Sequence, residues 1–252
     1  SETGTQDVTC SEATPDQVYR FEAVKWEPDG QPIPLSPLPG DTVSFGFGIN
    51  DNGQAVGVSG LCSNTSAPPV GPASLEAHGV LWAADGTPHN LALPQGSAGI
   101  LTVPTSINNE GAVVGSSIMS DGTIHGFIWE PGVAAPQDLG TFPPGAVVTV
   151  IPCCGVLNDR GQIVGVSFDA TFTPRALLWQ NAASTPVDLN ALVPADSPWY
   201  LVQALSINNT GEIAANQVCC GALPWRRADR KGAVGDDGCG TGWPPQSQAP
   251  AA

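Results

Sequence analysis

The chain has 252 residues and a formal net charge of −15; only 12% of its residues are charged, while Gly and Pro number 30 and 25. That composition disfavours long solvated helices and favours many short strands joined by tight turns. The negative balance argues against nucleic acid phosphates and anionic lipid surfaces as partners, because binding either depends on Lys and Arg.

No apolar run reaches the roughly 18–20 residues that cross a bilayer, and the longest candidate, Gly145 to Leu157, is interrupted by Pro152. The sequence therefore predicts no membrane insertion. It also shows no basic and apolar leader at its start, so any export signal is expected to have been removed or to lie outside this sequence.

Residues 1–17 form an N-terminal segment in which Val8-Thr9-Cys10-Ser11 precedes the first repeat as Gly60-Leu61-Cys62-Ser63 precedes the second. The segment is expected to complete a sheet. A strand ending in Trp follows, Glu22-Ala23-Val24-Lys25-Trp26, then a turn at Pro28-Asp29-Gly30 and a short strand ending near Leu35. A further segment leads to the turn Ile49-Asn50-Asp51-Asn52-Gly53 and the apolar strand Ala55-Val56-Gly57-Val58.

The same succession then returns. Trp strands recur at His78-Gly79-Val80-Leu81-Trp82, His125-Gly126-Phe127-Ile128-Trp129 and Arg175-Ala176-Leu177-Leu178-Trp179. They are followed by turns at Asp85-Gly86, Pro131-Gly132 and Asn181-Ala182 and by short strands ending near Leu91, Leu139 and Leu189. The Asn turn recurs at Ile107-Asn108-Asn109-Glu110-Gly111, Leu157-Asn158-Asp159-Arg160-Gly161 and Ile207-Asn208-Asn209-Thr210-Gly211, in steps of 58, 50 and 50 residues. The strands after these turns are Val113-Val114-Gly115, Ile163-Val164-Gly165-Val166 and Ile213-Ala214-Ala215. Four strands in about fifty residues match one blade of a propeller.

Each motif has a mechanical reading. The Asn carboxamide accepts a backbone N–H two residues on, and Gly adopts the left-handed conformation that closes the hairpin. The Gly inside the next strand suits a place where another backbone comes close. The Trp strands are apolar on both faces near the Trp, as expected of a sheet sandwiched between neighbouring sheets. Lys25, standing where the other copies have Leu81, Ile128 and Leu178, predicts an exposed face on the first unit.

With the residues laid out in this way, the units resemble the HAF repeats of bacterial extracellular proteins. His125-Gly126-Phe127-Ile128-Trp129, Asp138-Leu139-Gly140 and Ile107-Asn108-Asn109-Glu110-Gly111-Ala112-Val113-Val114-Gly115 carry that resemblance, which extends from about Val18 to Asn216. It implies an extracellular, propeller-like protein and no established chemistry. Glu22 and Arg175 replace the His in two units, which excludes a His-based site common to all of them.

The expected fold class is therefore all-β, a β-propeller-like array of about four to five four-stranded blades, complete or cut short. Residues 18–220 are assigned to the repeat domain and 221–252 to an irregular tail. By the repeat spacing a further Trp strand is due near Trp225, but the sequence there reads Pro224-Trp225-Arg226-Arg227-Ala228-Asp229-Arg230-Lys231-Gly232. Two readings stay open: a disordered extension or a reading-frame slip near Gln217.

Seven Cys without C-x-x-C or His-rich spacing point to disulfides and an oxidising compartment. The expected pairings are Cys10 with Cys62, and one of Cys153 and Cys154 with one of Cys219 and Cys220. Connectivity stays open in sequence, and the odd number leaves at least one thiol unpaired or joined to another chain.

Candidate chemistry is sparse. The three His residues are His78, His89 and His125; His78 and His125 share one repeat position and read as structural strand-end residues. There is no G-x-S-x-G, H-E-x-x-H or phosphate-cradling loop. Asp51, Asp159 and the Asn residues beside them could offer oxygens to calcium, but the spacing is not that of an EF-hand, so no cofactor is expected and calcium is the one ion to consider. The favoured function is an extracellular binding module for a glycan, polymer or protein, because the scaffold repeats while its loops vary. The alternatives are a polymer-degrading hydrolase or lyase using channel carboxylates, and a surface-structural repeat.

Overall fold

A computed structural model describes residues 2–7, 10, 19–62, 77–153 and 155–219. The fold over these residues is all-β: its elements are strands apart from one short 3-10 turn at Leu189–Ala191. The basic stretch after Cys220 lies outside them.

The repeats become antiparallel meanders. β1 (Glu2–Gln6) pairs with β2 (Tyr19–Phe21), and β3 (Ala23–Trp26) pairs with β4 (Pro32–Leu35). β5 (Val43–Ile49), β6 (Ala55–Gly60), β7 (Ala77–Trp82) and β8 (Pro88–Asn90) form the first complete meander. β9 (Ser97–Ile107), β10 (Val113–Met119), β11 (Ile124–Trp129) and β12 (Gln137–Gly140) form the second. The third consists of β13 (Val148–Val150), β14 (Ile163–Phe168), β15 (Pro174–Trp179) and β16 (Val187–Asp188). β17 (Trp199–Ile207) and β18 (Ile213–Cys219) close the described chain as a two-stranded hairpin.

The three meanders chain into a 12-stranded sheet with β5 and β16 at its ends. Among the described residues, the strand ladders of neighbouring meanders meet at single parallel pairs, Ala77↔Leu101 and Ile124↔Val148. The strong pairing is thus within a unit, and units meet mainly through their faces. Val56 and Leu91 of the first meander share an apolar cluster with Ile107 and Val113 of the second. Val114 and Ile128 of the second pack with Leu157, Ile163, Leu177 and Trp179 of the third, and Ala204 and Ile207 of the β17–β18 hairpin complete that cluster. Burying a large apolar side chain stabilises by about 1.5–3 kcal/mol, so the inter-unit faces are the core.

Register repeats residue for residue. Ala55↔Trp82, Val113↔Trp129 and Ile163↔Trp179 are equivalent pairs, as are Gly57↔Val80, Gly115↔Phe127 and Gly165↔Leu177. The inner Gly has a specific cause. The preceding strand is irregular at this level, between Gly46 and Gly48 in β5 and opposite Val114 and Gly115 in the second unit. A Cβ on Gly57 would collide with the Phe45 carbonyl, one on Gly115 with the Val103 carbonyl, and one on Gly165 would lie 2.8 Å from the Val150 carbonyl. The close backbone expected there is the unit's own preceding strand.

The Trp side chains are covered in the three later copies and not in the first. Trp82 and Trp179 are 0% and 1% exposed and Trp129 is half-buried, whereas Trp26 is 69% exposed. The β3–β4 pair at the head of the array does have an open side, but Lys25 is not the residue on it: Lys25 is only 5% exposed. Its Nζ donates to the carbonyls of Gly53 and Ala84 and pairs with Glu27 at 2.8 Å, which satisfies the charge inside.

Cys10 and Cys62 are joined, with Cα atoms 4.7 Å apart. The bridge packs with Val43 and Phe21, tying the N-terminal segment to the end of β6. Cys153 is an exposed free thiol, so it does not form the second expected bridge; Cys154 and Cys220 lie outside the described residues, as does the side chain of Cys219.

Candidate functional site

Two features line up across units, and the first is a seam of Asn turns. Gly53, Gly111, Gly161 and Gly211 have φ of 74°, 80°, 75° and 91°, the left-handed region the motif requires. The Asn oxygen does more than cap its own turn two residues on, which it does at Arg160 and Thr210. It also accepts the N–H four residues on, at Gln54, Ala112, Gln162 and Glu212, over 2.8–3.0 Å.

The amide end of the same Asn reaches the next unit. Nδ2 of Asn50 donates to the Asn108 carbonyl at 2.9 Å, Asn108 to Asn158 at 3.1 Å, and Asn158 to Asn208 at 2.9 Å. A second row runs beside it. The N–H of Asp51 donates to Asn109 Oδ1, that of Asn109 to Asp159, and that of Asp159 to Asn209, at 2.8–2.9 Å. Sequence spacing located these turns but gave no sign that they bond to one another.

This seam uses the oxygens once considered for calcium. Asp159 Oδ2 accepts the side-chain amides of Asn109 and Asn209, and Asp51 Oδ2 that of Asn109. The Asn109 backbone N–H is the main reason the Asp159 carboxyl is held below its ordinary range, with the two amides adding to it. Among the described residues no group of three or more His, Cys, Asp or Glu is placed to hold a metal ion.

The second feature is a polar latch at the start of the Trp strands of the three complete meanders. His125 Nδ1 lies 2.9 Å from Asp138 on β12, and its Nε2 lies 3.0 Å from the Thr123 hydroxyl. This outline resembles an acid–His–hydroxyl relay. The Thr123 hydroxyl, however, donates to Asp121 at 2.5 Å, so it has no proton to give the ring and is not an activated nucleophile. The third unit has the same latch with Arg175 between Asp188 (3.3 Å) and Asp169 (3.6 Å). Thr171 donates to Asp169 there, as Thr123 does to Asp121. In the first unit His78 pairs with Asp41 at 3.1 Å. A position filled by His78 and His125 in two meanders and by Arg175 in the third, each bonded to an Asp, ties the hairpin to a neighbouring segment. His89, in β8, is exposed.

Between the second and third units lies an open cleft of about 370 Å³. Asp138, Thr141, Phe142 and Pro144 line one side, and Ser184 and Thr185 the other. The Gln137 amide crosses it to the Ala182 carbonyl at 2.6 Å. Gln137, Asp138 and Leu139 belong to β12, and Thr141, Phe142, Pro144 and the residues from Ala182 to Pro186 to the connections beside it. No protein-family model and no curated protein matches the chain.

Proposed function

We propose that the chain is an extracellular binding module. On this reading its meanders are blades of a propeller-like array related to the HAF repeats, and it binds a neutral glycan segment at the cleft between the second and third units. The cleft is the observation that carries the reading. It sets an aromatic ring, Phe142, beside a carboxylate and the hydroxyls of Thr141, Ser184 and Thr185, the pairing of apolar face and convergent polar groups that sugars need. The net charge of −15 disfavours an acidic polymer. The Cys10–Cys62 bridge is compatible with an oxidising, extracellular setting.

The test is binding and turnover measured together on a panel of neutral and acidic polysaccharides. Saturable binding of a neutral glycan without product, lost in Phe142→Leu, which removes the ring but keeps an apolar side chain against the core and whose fold is checked by circular dichroism, is the expected result. Product release, or binding that ignores Phe142, would overturn the reading.

A further inference from the structure

β3 is a Trp strand without its inner strand, and β18 is an inner strand without its Trp strand. In each of the three meanders the strand after the Asn turn is covered by a Trp strand, but among the described residues β18 pairs only with β17 and β3 only with β4. We propose that β18 of one chain pairs with β3 of a second copy, in the register of the complete units. Ile213 then lies opposite Trp26, and Ala215 opposite Val24.

Backbone direction supports this pairing. In an antiparallel strand, N–H and C=O of successive residues point to alternate edges. Pro32 and Pro34, opposite Trp26 and Val24, have no N–H to give, and Glu27 N donates to Gln31 O. Val24 and Trp26 therefore direct their N–H and C=O away from β4, to the open edge. On β18, Asn208 N donates to Glu212 O, so Ile213 and Ala215 likewise direct theirs away from β17. The outward groups of the two edges are those the repeat register pairs, and no proline interrupts either set. An unpaired edge of this kind is a template for another strand.

The side chains show the same two missing halves. Ile107, Leu157 and Ile207 are buried against the preceding unit, in clusters with Val56, with Val114 and with Val164 respectively. Their equivalent in the first unit, Ile49, is 57% exposed, and the equivalent of Val56 in β18, Ala214, is exposed. The seam is open at the same two ends. Asn50 and Asn158 Nδ2 each donate both to their own Gln54 or Gln162 and to the next unit, whereas among the described residues Asn208 Nδ2 donates only to its own Glu212, at 2.7 Å. The Asn50 carbonyl accepts only Gly53 among the described residues, whereas its counterparts also accept an Asn amide. Joining two copies places Ile49 on Ala214 and Asn208 Nδ2 at Asn50 O, continuing an interface the chain already repeats. Such a head-to-tail contact closes into a ring or grows into a filament.

The experiment is complementation by sedimentation velocity. Val24→Pro removes a donor from the β3 edge and Ala215→Pro one from the β18 edge, and circular dichroism and melting confirm that each variant is folded. The full-length wild-type chain is expected to associate with rising concentration, each variant alone to sediment as a monomer, and an equal mixture to form a heterodimer and nothing larger. Trp26→Cys mixed with Ile213→Cys is expected to give an interchain disulfide mapped to those two residues. A wild-type monomer at every concentration whose Val24, Trp26, Ile213 and Ala215 amides are protected from exchange means that the edges are covered within one chain, which overturns the proposal. So does a mixture of the two proline variants that stays monomeric.

Discussion

At the residue scale, one side chain does two jobs with its two ends. Asn108 is buried and holds its own turn through Oδ1 and the next unit through Nδ2. Asn108→Ala leaves a buried N–H and a buried carbonyl short of a partner, and is expected to cost about 1–3 kcal/mol in urea denaturation. Asn208→Ala should cost less, because among the described residues that Nδ2 reaches only an exposed Glu212. The latch gives a second contrast: His125→Arg should leave stability within about 0.5 kcal/mol, since Arg175 already fills the place, while His125→Ala should lower it measurably more.

The carboxylates of seam and latch set a pH dependence. Asp159 is held low first by the Asn109 N–H, and Asp121 and Asp169 first by the Thr123 and Thr171 hydroxyls. A carboxyl whose folded value lies below its unfolded value stabilises the fold in full above about pH 4, the unfolded value, and that contribution is lost as pH falls through the folded value. The urea midpoint should hold steady from neutral to about pH 5 and fall below pH 4. Asp159→Asn should start lower and fall less steeply, and an identical acid limb in this variant would remove Asp159 from the account.

At the element scale, the inner strand is set by a carbonyl that leaves no room for a Cβ. Gly115→Ala drives a methyl group into the Val103 carbonyl and should cost about 1–3 kcal/mol or shift the strand, whereas Ala215→Gly should change the melting temperature little. Strand order, turn glycines and the covered Trp residues of the later units were legible in the sequence because each is local and repeats. Two things were not. The fate of Lys25 depends on carbonyls of Gly53 and Ala84, 28 and 59 residues away, and no local pattern records them. The cross-unit bonds of the Asn amides were hidden for a related reason: a turn-forming Asn and a turn-joining Asn have the same sequence.

At the scale of the whole molecule, the cleft was not legible either, because its two walls come from connections about forty residues apart that share no motif. The Cys10–Cys62 bridge agrees with the pairing expected, although connectivity among seven Cys could not be derived from sequence. That bridge closes a separation of 52 residues, and its loss in Cys10→Ser with Cys62→Ser should cost about 2–4 kcal/mol. The loss should concentrate near β1 and β2, which hydrogen exchange can resolve from the later meanders.

The Asn seam has a consequence for how such a chain can change over time. Every unit offers the same donor forward and the same acceptor backward, so the junction does not depend on which neighbour supplies it. Along the row of Asn50, Asn108, Asn158 and Asn208, gaining or losing units leaves every remaining joint chemically unchanged, while the alternating Asp51, Asn109, Asp159 and Asn209 beside it stay in step when units are gained or lost in pairs. Array length is thereby uncoupled from the fit between particular neighbours, and the outer connections are free to diverge one unit at a time.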